Sequence, residues 1–145
     1  MKVFIENEAG SNQKNIFNEK TLEYIKTYAV SASYPFPYGF LLDTTSGDGD
    51  NLDCFVLTNK SLKSREIIEV ELIGMFEEIE DGKEDHKILA VPVGENWAID
   101  TETKNIFREF SPKVFSHIPG KKKALGRFFG KKQALKLIQK SSNHK

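Results

Sequence analysis

Cysteine is nearly absent from this sequence. The single Cys54 excludes an intramolecular disulfide and suits a reducing compartment, so a cytoplasmic location is the expectation. Long apolar runs are missing too. No stretch approaches the roughly 18 apolar residues of a membrane-spanning helix. Met1 to Gly10, with one Lys and one run of three apolar residues, does not read as a signal peptide. Net charge is also lacking: 21 Lys+Arg offset 21 Asp+Glu among 145 residues. Such a balance argues against a strongly basic nucleic-acid binder or an acidic disordered tail. With no internal repeat and no low-complexity linker, residues 1–145 are expected to form one domain. That length supports a core without disulfide or metal staples.

The zero hides two unlike parts. Residues 1–103 hold 9 Lys+Arg and 20 Asp+Glu, a net of −11, and residues 104–145 hold 12 Lys+Arg and the single acid Glu109, a net of +11. The acidic part reads as short strands. Val3–Ile5, residues 21–30, Phe40–Leu42, Leu52–Thr58, Glu66–Phe76 and Lys87–Val93 are the expected strands, with Asp81-Gly82 as a hairpin turn. Pro92 places its strand at an edge or puts the proline at the strand's end. The basic part reads as helical, over Ile106–Phe115 with Pro112 as a complication, and more clearly over Gly130–Lys140. Strands first and helices last fit a small β-barrel or rolled sheet with helices outside it.

Two acidic stretches carry the chemistry. Asp48-Gly-Asp50-Asn-Leu-Asp53 places three carboxylates within six residues, and no Lys or Arg lies between Asp43 and Asn59. Close carboxylates repel one another, and a hard divalent cation bound through oxygen relieves the repulsion. The second stretch runs from Glu77 to Asp85 and brackets the expected hairpin. Either stretch alone also fits an ordinary acidic turn. An EF-hand is excluded, because the fifth and twelfth positions from Asp48 are Leu52 and Asn59.

Together with Tyr34-Pro-Phe-Pro-Tyr38-Gly39 these motifs are similar to the signature region of the soluble family I inorganic pyrophosphatases. There a Tyr-Pro-x-x-Tyr-Gly segment precedes an Asp-x-Asp-Pro-x-Asp motif. The stretch from Glu80-Asp81 through Asp85-His-Lys87 to Ala-Val-Pro resembles that family's second acidic hairpin, and Glu6 to Lys14 resembles its first segment. The resemblance implies an OB-like five-stranded β-barrel with peripheral C-terminal helices. It implies Mg²⁺-dependent hydrolysis of pyrophosphate, with Mn²⁺ or Zn²⁺ as substitute ions. Asp48, Asp53 and Asp85 would hold the activating metals, Glu80 a further ion, and Asp50 would be the general base. Lys14, Lys26, Tyr38 and Lys87 would contact phosphate. Glu6, Tyr34 and Asp81 would be secondary groups. A homo-oligomer is implied as well, while a nucleic-acid partner is not expected because the acidic face would repel a phosphate backbone.

Departures from the pattern support an alternative. Asn51 replaces Pro, Glu80 replaces Asp, and Lys26 stands where Arg is usual, a point charge without the guanidinium fork. Ile16 falls at an expected acid, and Ile118-Pro119 lies where a phosphate-binding Tyr-Lys is expected. A catalytically weakened or non-enzymatic member that binds metal or phosphate is the second reading. Lys121-Lys122-Lys123 reads as a solvated face, a substitute phosphate contact, or a nucleic-acid patch. Cys54 and Trp97 read as packing residues, and His86 and His117 as surface or packed residues.

Overall fold

The computed structural model describes residues 1–42, 44 and 51–142. In chain order the elements are β1 (Lys2–Asn7), β2 (Gln13–Phe17), β3 (Tyr24–Ala29), β4 (Tyr38–Leu41), β5 (Asp53–Val56), β6 (Ile67–Glu80), β7 (Lys83–Glu84), β8 (Lys87–Pro92), α1 (Thr101–Lys113), β9 (Lys123–Gly130) and α2 (Lys131–Ser142). Five strands close into a ring. β1 pairs β4, β4 pairs β5, β5 pairs β8, β8 pairs β6, and β6 returns to β1. Only the β5–β8 pairing in that ring is parallel. β2 and β3 form a separate hairpin, and β9 runs antiparallel along the far half of β6.

The ring is filled from inside and covered from outside. Val3, Ile5, Leu41, Cys54, Val56, Ile88 and Ala90 make one buried cluster, which α2 joins through Ala134 and Ile138. A second cluster is aromatic. Phe55, Phe76 and Phe107 meet with ring centroids 4.9–6.2 Å apart, so α1 is pinned to the ring by Phe107. Its start is fixed by Asp100, whose Oδ1 accepts from the Thr103 amide at 2.9 Å. Pro112 sits in the last turn of α1, where its missing N–H leaves the Arg108 carbonyl without a helical donor, and the helix stops one residue later at Lys113.

Several expectations are borne out and several are corrected. The strands near residues 3–5, 24–29, 40, 53–56 and 87–92 and the turn at Asp81-Gly82 are present. Asp81 and Gly82 both have positive φ, as a tight hairpin turn requires. Pro92 is the last residue of β8, an interior strand, so the strand-end reading holds rather than the edge. Three features went unforeseen. β6 extends four residues beyond Phe76, because its acidic end finds a partner in β9. β9 itself has the sequence KALGRFFG, in which lysine, arginine and two glycines hide the strand pattern. β2 is the third, a short polar strand that exists by pairing with β3. No helix among the described residues is long and apolar enough to cross a membrane.

Gly39 shows how closely β1 and β4 approach. A Cβ there would lie 1.8 Å from the Phe4 carbonyl oxygen. Gly39→Ala is expected to destabilise the fold by more than about 3 kcal/mol in urea unfolding, since a backbone atom cannot move aside. Gly130→Ala, where nothing lies within 4 Å of the added carbon, is expected to change stability by less than about 1 kcal/mol.

Candidate active site

Strand register gathers the titratable groups at one end of the ring. Asp53 opens β5, Lys87 opens β8, and the two are Cα partners in the parallel pairing. Tyr38 opens β4, and the acidic end of β6 arrives beside them. A cavity of about 870 Å³ lies here, and the β2–β3 hairpin, α1 and the start of β9 complete its walls.

Lys87 is the centre of the arrangement. It is 3% exposed. Its Nζ donates to Asp53 Oδ2 at 2.6 Å, Asp85 Oδ2 at 2.8 Å and Tyr38 Oη at 3.3 Å. Glu78 Oε1 stands 3.8 Å away. Burial alone would favour the neutral amine, but Asp53, Asp85 and Glu78 overrule it and hold the pKa above the ordinary lysine value. The side chain is therefore an ammonium.

The aromatic wall is stacked. Tyr34 lies over Tyr38 with centroids 5.3 Å apart. Burial raises the pKa of both phenols, so each is a neutral donor. Lys14 reaches the Tyr38 ring face, its Nζ 5.1 Å from the centroid. Glu6 on β1 is buried beside them. Burial pushes it from its ordinary 4.5 up to about 8, opposed by Lys14 and assisted by Asp53 and Glu19. Partial burial raises the Glu80 carboxyl, but Lys121 2.9 Å away, Lys123 and Asp85 together overrule it and hold the group below its ordinary range. Asp81 accepts from the Lys122 amide at 2.8 Å.

The expected site residues thus divide into three groups. Glu6, Lys14, Tyr34, Tyr38, Asp53, Glu80, Asp81, Asp85 and Lys87 all line one cavity. Lys26 does not; it sits exposed on β3, paired across the hairpin with Ile16, and it is Ile16 that lines the cavity. Asp48 and Asp50 lie outside the described residues. Ile118 packs in the aromatic core cluster. His86 is a packing residue as expected, its Nδ1 accepting from the Glu78 amide at 3.1 Å.

Sequence reading overlooked Glu78, Phe115 and Glu19 as wall residues, and it left Lys121 and Lys123 unassigned. For Glu78 a signal existed, since it lies two residues from the buried Phe76 on the same strand. Glu19 had none, because its place depends on the turn between β2 and β3.

The donor set is all oxygen, which suits a hard divalent cation. Among the described residues no group of three His, Cys, Asp or Glu converges as a finished metal site. Two carboxylates do converge on a single positive charge, the Lys87 ammonium between Asp53 and Asp85. Its position is that of a stand-in cation, so the residues present fit a metal.

A closed five-stranded ring with helices outside it is an OB-like arrangement, and its mouth collects carboxylates and lysines. Comparison with known proteins narrows this. The inorganic pyrophosphatase family model matches residues 3–145. The inorganic pyrophosphatase of Nanoarchaeum equitans is 32% identical over 151 residues, 97% of this chain and 94% of that one. That of Geobacillus stearothermophilus is 30% identical, over 95% of this chain and 89% of its own. The Saccharolobus solfataricus enzyme is 40% identical over 94 residues, a stretch spanning 63% of this chain and 55% of that one. Among solved structures, an inorganic pyrophosphatase from Neisseria gonorrhoeae superposes with a TM-score of 0.85 at 27% identity, covering 98% of this chain and 88% of that one. The one from Thermus thermophilus gives 0.89 at 21% identity, with the same coverage, and so supports the fold. The chain belongs to the inorganic pyrophosphatase family.

Lys87→Met would leave Asp53 and Asp85 facing each other without their ammonium. In metal-free buffer the variant is expected to lose about 3 kcal/mol of stability. Added Mg²⁺ should then raise its thermal midpoint more than that of the wild type. A variant as stable as wild type, or indifferent to Mg²⁺, would contradict the account.

Glu6 predicts a pH dependence of the metal-free protein. Below about pH 4.5 the carboxyl is protonated whether the chain is folded or not. Between 4.5 and about 8 the unfolded chain has lost that proton and the folded chain keeps it. Stability from this group is therefore present at low pH and is lost as pH rises toward 8, by on the order of a few kcal/mol. Urea unfolding of Glu6→Gln between pH 5 and 8 should lack that slope.

Proposed function

We propose that the protein hydrolyses inorganic pyrophosphate to two phosphates, with Mg²⁺ as cofactor and Asp50 as general base. One observation carries this reading: Asp53 and Asp85 meet around the Lys87 ammonium in a cavity that Lys14 also lines. A dianionic or more highly charged phosphate needs both halves of that arrangement. Asp48, Asp53, Asp85 and Glu80 would hold the metal ions, which when bound supply Lewis acidity and make water acidic enough to attack near neutral pH.

The chain's own groups do the rest. Asp50 takes a proton from the attacking water. Lys14 and Lys87 place fixed positive charge beside the phosphate oxygens, where negative charge builds as the anhydride bond breaks. Tyr38 keeps its proton and so donates a hydrogen bond, held in place by the stacked Tyr34. Glu6, buried in the cavity wall, and the more exposed Asp81 are secondary groups. Lys26, exposed on β3, is the least well placed of the phosphate ligands that the family pattern suggests.

We take residues 1–145 as one catalytic domain. The buried, unpaired Cys54 accords with a cytoplasmic location. Exposed Ile25, Ile67 and Val93 accord with a homo-oligomer that covers them.

Purified protein with Mg²⁺ and pyrophosphate should release phosphate. Asp50→Asn should lower kcat by about 100-fold or more with its fold unchanged by circular dichroism. A folded protein releasing no phosphate with Mg²⁺, Mn²⁺ or Zn²⁺ would overturn the proposal.

A further inference from the structure

The basic C-terminal part brings one lysine into the cavity in an unusual state. Lys123, the first residue of β9, has a side chain only 9% exposed. Lysine on a strand end normally reaches into water, so its burial needs a cause. The cause is Glu78. This carboxylate is 2% exposed, and its Oε1 lies 3.0 Å from Lys123 Nζ. Its Oε2 accepts from Ser111 Oγ on α1 at 2.5 Å. Glu78 is thus fixed from the helix side and presents one charge to two ammoniums, Lys123 at 3.0 Å and Lys87 at 3.8 Å.

Phe115 gives the second observation. Three ammoniums gather around this one ring: Lys123 at 4.8 Å, Lys121 at 5.3 Å and Lys14 at 5.9 Å from its centroid. Lys14 and Lys123 come from opposite ends of the chain and from different sheets. Like charges converging on a shared apolar surface repel unless an anion sits among them. Lys121 is already engaged by Glu80 and Asp81. Lys123 is in ion-pair contact with Glu78 and keeps N–H donors for the cavity, since an ammonium has three. Burial and the neighbouring Lys87 hold its pKa below the ordinary lysine value, so a bound anion would also stabilise its charge.

We propose that Lys123 is a phosphate-binding residue of the cavity, gathered with Lys14 around Phe115, and that Glu78, anchored by Ser111, is the positioning residue that holds it there. The ligand class is an inorganic diphosphate or a phosphate product. This proposal rests on the pyrophosphatase reading for the identity of the ligand, but not for the existence of the anion site. It also explains how the chain manages without the Tyr-Lys pair expected near Ser116–Pro119: a lysine from β9 takes up the cavity wall beside Phe115.

The test compares Lys123→Met, Lys123→Arg, Glu78→Gln and the Lys123→Met/Glu78→Gln double variant. Methylenediphosphonate, which cannot be hydrolysed, is titrated calorimetrically with Mg²⁺ present, and KM and kcat are measured with pyrophosphate. Losing one charge-assisted contact should weaken diphosphonate binding and raise KM by about 10-fold or more in Lys123→Met. Mg²⁺ binding without diphosphonate should stay within about twofold of wild type, and Lys123→Arg should recover most of the loss. Glu78→Gln should weaken diphosphonate binding in the wild-type background and add nothing in the Lys123→Met background, the signature of action through Lys123. If Lys123→Met does not fold, Lys123→Gln is judged by the same numbers.

Diphosphonate binding within twofold of wild type in the folded variant would overturn the proposal, and so would a wild-type protein that binds no diphosphonate. Loss of binding in Lys123→Met alongside a wild type that hydrolyses nothing would leave the anion site standing and remove the pyrophosphatase reading. Normal hydrolysis with an unchanged KM in Lys123→Met would do the reverse.

Discussion

An ammonium buried among carboxylates is the constraint on which the mouth of this ring depends. Gathering Asp53, Asp85 and Glu78 at the ends of three strands would fail through mutual repulsion and lost hydration without a counter-charge. Lys87 supplies it from within the sheet. The parallel pairing of β5 and β8 sets Asp53 beside Lys87, and the antiparallel pairing of β8 with β6 sets Lys87 beside Phe76, two residues before Glu78. Register therefore determines which charges meet. The aromatic wall of Tyr34, Tyr38 and Phe115 keeps the surroundings poor in water, which strengthens each of those interactions.

The same constraint explains the charge division along the chain. An acidic body and a basic tail are joined where β9 lies along β6. Glu77 meets Arg127, Glu78 meets Lys123, Glu80 meets Lys121, and Asp81 accepts from the Lys122 amide. These contacts are unequal. The Glu77–Arg127 pair is exposed to water and contributes little. The Glu78–Lys123 pair is buried and sits on the cavity wall. Part of the acidic excess is thus offset locally, where the basic segment folds back onto the acidic strand end.

Sequence alone revealed the ring strands, the two terminal helices and most of the cavity. Those strands are legible because Val3–Ile5, Cys54–Leu57 and Ile88–Val91 are compact apolar runs, and because Asp81-Gly82 can hardly be anything but a turn. Tyr34, Tyr38 and the acids near them are legible through motif spacing. β9 was not, because its lysines and glycines make sense only against β6. Glu78 was visible as one acid among several. Its burial depends on Ser111 and Lys123, which are far from it in sequence, and no local pattern announces such a partnership. Lys26 is favoured by motif register; across the β2–β3 hairpin it is the Cα partner of Ile16, and of the two it is Ile16 that lines the cavity.

On the proposed reading two halves of one chemistry meet in this cavity, carboxylates for a divalent cation and lysines for phosphate. A crystal structure grown with Mg²⁺ and methylenediphosphonate tests that claim most directly. The account predicts metal density bound by Asp53 and Asp85, with the Lys87 ammonium shifted from between them onto a phosphonate oxygen. It predicts Lys14 and Lys123 within hydrogen-bonding distance of the same ligand. Metal and diphosphonate bound elsewhere, with Lys87 still bridging Asp53 and Asp85, would contradict it.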